Sequence, residues 1–228
     1  MIAVRRLRLG AAYVLLLYLT LHFVNHALGL VSLNAMETGR WWFLALWRSA
    51  PGTVALYGAV AVHGILALWL LYERRTLRMP AWEAAQYALG LALPPLLVAH
   101  VVGTRIAWWR FGAEDPYSRV VFSLWLQVPE SGARQTVVVV LAWLHACIGV
   151  HYWLRFRPWY RRAAPWLFAV ALLLPTLALL GSSPPVARSP PARRRPAGAR
   201  RCCARPTLPI RPSPRGWWRS DRAFWMPI

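Results

Sequence analysis

Apolar residues dominate five stretches of this chain, roughly 11–32, 53–72, 84–105, 136–156 and 164–181, and polar residues gather in the gaps between them. Each stretch approaches the ~20 residues that a helix needs to cross a hydrocarbon core about 30 Å thick. A sixth run, Val120–Val128, is only about half that length and lies between Pro116 and Pro129. It reads as an interfacial or re-entrant segment. The pattern therefore predicts an all-α fold: a polytopic transmembrane helix bundle of five spans. Pro94 and Pro95 fall inside the third span. They should bend that helix and free backbone carbonyls within it.

Composition strengthens this reading. The 228 residues are 58% hydrophobic, with a mean hydropathy of +0.38. The net charge of +20 comes from 27 basic residues, all arginine, against 7 acids. Sixteen of those arginines lie within the first 182 residues, clustered between the apolar runs, so they report topology before nucleic-acid binding. Arg5, Arg6 and Arg8 precede the first span, Arg74, Arg75 and Arg78 follow the second, and Arg155, Arg157, Arg161 and Arg162 follow the fourth. The positive-inside rule makes these three regions cytoplasmic, with the N-terminus inside. The first run has no small-residue cleavage site and is read as an uncleaved span. Tryptophans such as Trp41, Trp42, Trp82, Trp108, Trp109 and Trp159 stand where span ends should meet the headgroups.

Residues 1–182 are accordingly expected to form a membrane domain and 183–228 an Arg/Pro-rich tail. Ten of the 19 prolines and eleven arginines fall in this tail, whose only acid is Asp221. A segment of that composition buries no core and is expected to be disordered. It also has the character of a GC-rich gene read out of frame. No fold signature accompanies its charge, so nucleic acid is not an expected partner. Cys147, Cys202 and Cys203 have no metal-ligand or disulfide spacing.

The candidate chemistry lies in six histidines, His22, His26, His63, His100, His145 and His151, all within apolar stretches. Ionisable groups at membrane depth are costly and usually functional. Neutral imidazole is a haem ligand, which makes histidines on several spans a haem-binding hypothesis, with two haems b expected. Matching depths along the spans pairs His26 with His100 near the outer side and His63 with His151 further in, with His145 and His22 as alternates. His22 and His26 share one helix face at i, i+4, with Asn25 beside them as a polar neighbour. Arg105, at the outer end of the third span, is the candidate partner for a haem propionate. No phosphate loop, nucleophile elbow or paired-carboxylate spacing appears, so no catalytic residue is expected.

Leu21-His22-Phe23-Val24-Asn25-His26-Ala27-Leu28-Gly29-Leu30, with Met36-Glu37 and Arg40-Trp41-Trp42-Phe43, resembles the N-terminal membrane anchor of a group of bacterial class III adenylate cyclases. Pro80-Ala81-Trp82-Glu83-Ala84-Ala85-Gln86, Ala99-His100-Val101-Val102-Gly103-Thr104-Arg105 and His145-Ala146-Cys147-Ile148-Gly149-Val150-His151 extend the likeness over about residues 4–181. That anchor is similar in turn to the dihaem cytochrome b subunit of succinate dehydrogenase and fumarate reductase. The resemblance implies histidine-held haem b, electron exchange with quinone, redox sensing and a bacterial cytoplasmic membrane. Membrane lipid, quinone and a second copy of the chain are the partners it implies. The sixth helix, iron-sulfur cysteines and paired aspartates of such cyclases do not occur in these 228 residues, so the expectation is a truncated anchor without cyclase activity. Two alternatives stand beside it: a respiratory cytochrome b subunit anchoring a separate dehydrogenase, and a haem-free structural or transport bundle whose histidines relay protons or join helices.

Overall fold

A computed structural model describes residues 2–74 and 76–183. The Arg/Pro-rich stretch expected to be disordered, and to be out of frame, lies outside the described residues. The chain is helical and, among the described residues, has no strand. Five helices are long and apolar enough to cross a membrane: Ala3–Leu30, Ala50–Glu73, Ala81–Phe111, Pro129–Leu154 and Tyr160–Ser182. The molecule is a multi-pass membrane bundle.

Helix α1 (Ile2–Ala27) tightens into a 3₁₀ turn at Leu28–Leu30. Helix α2 (Leu33–Trp47) follows at once, because Ser32 accepts a hydrogen bond from the Ala35 N–H at 3.0 Å and so caps its first turn. Ser49 does the same for α3 (Ala50–Glu73) through the Gly52 N–H at 3.1 Å, with Pro51 in the first turn, where its missing N–H costs nothing. Helix α4 (Ala81–Val101) runs continuously through Pro94 and Pro95. It then widens into a π turn at Val102–Ile106 and resumes as α5 (Ala107–Phe111), which ends at Gly112 with φ 63°. That left-handed position suits glycine as a helix stop.

The half-length run Val120–Val128 is helical: α6 (Tyr117–Phe122) leads into a π turn at Ser123–Gln127. Helix α7 (Pro129–Leu154) begins seven residues before the apolar run that announces it, because Pro129 fits the first helical position and Glu130 favours the amino end. Helix α8 (Tyr160–Ser182) completes the bundle.

Helix α1 packs on α3, α8 and α2, while α4 packs on α7, and α7 also meets α8. Neither α1 with α4 nor α3 with α7 makes an extensive close backbone approach. Side chains reach across those two gaps instead. Phe23, Trp143 and Ala178 form the central apolar contact of α1, α7 and α8, and the Trp143 indole N–H donates to the Ala171 carbonyl at 2.8 Å. A close crossing joins the end of the first span to α8, where a Cβ built on Gly29 in the 3₁₀ turn would lie 1.9 Å from the Gly181 carbonyl oxygen. Small residues let helix backbones approach in this way in lipid, where apolar burial alone gives no preference for a neighbouring helix over an acyl chain.

Candidate functional site

The six histidines sort into two clusters and one outlier. In the first cluster, His22 and His26 project from one face of α1, and their Nε2 atoms lie 3.2 Å apart. His100 on α4 faces His22, with ring centres 6.0 Å apart, while the His26 ring rests against Tyr117 at 5.2 Å. The expected partner of His100 was His26, one turn further along; the structure sets His22 opposite it. Tyr18 stacks on the other side of His22 at 5.8 Å, and Phe43 of α2 lies 5.3 Å away.

Helices α2 and α6 close over this cluster. Asn25, only 3% exposed, donates through Nδ2 to the Tyr117 hydroxyl at 2.7 Å. Its Oδ1 abuts Gly39 of α2, where a Cβ would come within 2.1 Å. The Tyr117 backbone N–H donates to Glu37, which also pairs with Arg40 at 2.6 Å. Asp115 then joins Arg40 at 3.6 Å to Arg48 at 3.1 Å. Burial pushes the Tyr117 hydroxyl pKa above its ordinary value, with the Asn25 hydrogen bond acting in the opposite direction. Asn25 was anticipated as a polar neighbour of the histidines; Tyr117, Glu37 and Asp115 were not, because nothing local marks residues brought together from 92 positions apart.

In the second cluster His63 of α3 faces His145 of α7, with ring centres 6.2 Å apart and the rings nearly perpendicular. His151, expected as the partner of His63, is exposed and its Nδ1 lies 2.7 Å from the Tyr160 hydroxyl. The reason is helical phase. Six residues turn the helix by about 240°, so His151 cannot share the face of His145. The His145 Nδ1 lies 3.2 Å from the Gln86 carbonyl oxygen, and Gln86 Nε2 donates to the His145 carbonyl at 3.0 Å. Arg105 donates to the Thr53 hydroxyl at 2.9 Å, and its guanidinium lies over Trp108 and Tyr57.

Whether these residues suit a haem is tested by spacing and by free valence. Two imidazoles on opposite sides of one metal ion, each bonded at about 2 Å, have ring centres roughly 6 Å apart. Both cross-bundle pairs lie near that spacing, which is also an ordinary edge-to-face packing distance, and in the first pair the His22 Nε2 is turned to His26. Nδ1 of His22, His26 and His63 is buried without a hydrogen-bond partner, a costly state that binding or a bound partner relieves. Among the described residues no three His, Cys, Asp or Glu side chains converge as a metal site. A bare ion would need such a group, whereas a macrocycle supplies four nitrogens and asks the protein for two axial ligands. Two facing imidazoles are as many protein ligands as a haem would take.

No family model, curated protein or solved structure matches the chain.

Proposed function

We propose that this protein is a membrane-embedded b-type haem module that exchanges electrons with quinone in a bacterial cytoplasmic membrane, its N-terminus cytoplasmic, and that it is a redox-sensing anchor of the kind that adenylate cyclases carry. One observation carries the haem reading: four different membrane helices contribute two facing histidine pairs, His22 with His100 and His63 with His145, at ring separations of 6.0 and 6.2 Å. The quinone and cyclase-anchor assignments rest on the motif resemblance.

Haem supplies one-electron chemistry when bound. The protein's own contribution is to hold imidazoles on opposing helices, keep them in an apolar surround and fix their ring orientations. The backbone carbonyl of Gln86 orients His145, and the Tyr18 and Phe43 rings flank His22. Glu37, Tyr117 and Asn25 close the first cluster from the polar side and restrict access of water there. Arg105 lies near the same end and is available to an anionic propionate in exchange for its bond to Thr53.

A haem-free bundle is the second reading, favoured by the direct His22–His26 contact at 3.2 Å, which engages both Nε2 atoms in a bond between helix neighbours. A reduced-minus-oxidised absorption spectrum of the full chain in mild detergent, with pyridine haemochrome quantification, separates the two. About two haems b per chain is the expected result. Protein that remains free of a Soret band when expressed with ample haem overturns the proposal.

A further inference from the structure

The contact between α4 and α7 has an internal symmetry. His145 reaches the backbone carbonyl of Gln86, and the Gln86 side chain reaches the backbone carbonyl of His145, at 3.2 and 3.0 Å. Four residues after each of these lies a glycine, Gly90 on α4 and Gly149 on α7. In a helix the carbonyl of residue i accepts from the N–H of residue i+4, so the side chain at i+4 flanks the approach to that carbonyl. Glycine at 90 and 149 leaves both approaches open. A Cβ built on Gly90 would lie 2.9 Å from His145 Cε1 and 3.4 Å from its Nδ1, inside the space the ring occupies. A Cβ on Gly149 would meet Gln86 Nε2 at 3.4 Å, ordinary contact, so Gly90 is the stricter of the two.

We infer that Gln86, Gly90 and Gly149 form a crossed clamp that fixes His145 with its proton on Nδ1 and leaves its Nε2 lone pair free for a ligand. The chemistry leaves little freedom. A carbonyl only accepts, so the Nδ1 atom facing the Gln86 oxygen carries the hydrogen, and in neutral imidazole the other nitrogen then carries the lone pair. That nitrogen is the one a haem iron would take, and an imidazole whose second nitrogen donates to a backbone carbonyl is both oriented and made more basic. Pro94 removes the N–H that would otherwise bond the Gly90 carbonyl, so this segment of α4 is already released from part of its own ladder. These three are positioning residues, acting on metal or haem only through His145. The clamp itself does not depend on the ligand's identity; its effect on a reduction potential rests on the haem reading.

The test uses the full chain carrying ¹⁵N-histidine, in lipid nanodiscs and reduced with dithionite so that any low-spin haem iron is diamagnetic. The His145 resonance is identified by its loss in His145→Gln. The clamp requires a His145 proton on Nδ1 that exchanges slowly with solvent. In Gly90→Ala that proton exchanges faster, and in haem-loaded protein the potential of one haem rises while the other is unmoved, because a less basic imidazole stabilises the ferric state less. A wild-type His145 protonated on Nε2 overturns the inference without any variant having to fold. A Gly90→Ala protein that unfolds at lower temperature but keeps wild-type exchange and potentials also overturns it, reducing Gly90 to packing. Chain without haem refutes the proposed function, and its His145 resonance still decides the clamp.

Discussion

Glycines in this bundle divide into those that hold helices together and those that face open space, and alanine substitution should give effects of opposite sign. At Gly29 a Cβ would lie 1.9 Å from the Gly181 carbonyl oxygen, whereas ordinary contact begins at 3.4 Å, so α1 and α8 must part by about 1.5 Å. Overpacking of this kind costs about 1–3 kcal/mol. Removing a glycine from the backbone offsets roughly 0.5–1 kcal/mol of that. The net loss of about 1–2 kcal/mol corresponds to a fall in unfolding temperature of roughly 2–8 °C. Gly10 and Gly58 instead line an open groove of about 330 Å³ between α1 and α3, and a Cβ at either meets nothing within 4 Å. Gly10→Ala and Gly58→Ala should leave the unfolding temperature unchanged or raise it, since only the propensity gain of about 0.5–1 kcal/mol remains. Thermal unfolding followed by circular dichroism in one detergent compares all three. Gly29→Ala unfolding at or above the temperature of Gly58→Ala would refute the assignment of α1–α8 as the close crossing. The same crossing reaches the histidines, because a Cβ on Gly181 would sit 2.2 Å from the His26 carbonyl oxygen.

The buried Asn25–Tyr117 bond should show a coupling of about 1 kcal/mol in a double-mutant cycle with Asn25→Leu and Tyr117→Phe, and strict additivity of the two changes would count against it. Tyr117 also sets an alkaline limit. Its folded-state pKa is raised above the ordinary 10.0 by burial, so its stabilising contribution is intact below pH 10 and is lost as the pH climbs through the raised value. Unfolding temperatures of wild type and Tyr117→Phe should therefore diverge less above pH 10 than below it. On the proposed haem reading, His63→Ala and His145→Ala should each lower the pyridine haemochrome yield from about two per chain to about one, and the double variant should match the singles. His151→Ala should retain both, since His151 faces Tyr160; a loss equal to that of His145→Ala would reverse the inner pairing.

The five spans were legible because a membrane helix advertises itself through an unbroken apolar run, and all five runs are helices. Their ends were less so. Helix α7 starts at Pro129 on polar residues such as Glu130 and Arg134, which favour a helix without being apolar, and α4 continues past Arg105 through a π turn to Phe111. Helix α2 went unrecognised although Ser32 is a capping residue and Glu37 and Arg40 stand at i, i+3, since its mixture of Trp, Arg and Glu has the composition expected of an interfacial loop. The histidines stand out in the sequence by their cost in lipid. Their partners were not, for depth alone cannot separate His145 from His151, and helical phase decides it. Gly90 and Gln86 carried a signal only in hindsight of the crossing: a glycine four residues beyond a polar side chain, on both helices.

The Asn25–Tyr117 bond spans 92 residues of sequence, which gives it a consequence for biogenesis. At a synthesis rate of about 5–20 residues per second, Tyr117 leaves the ribosome roughly 5–20 s after Asn25. Over that interval the first helix reaches the bilayer with an amide that has no bond to make there. The amide gains its partner only once the third span and the short helix after it have been made. The order of insertion, as much as the final packing, is thereby written into one side chain.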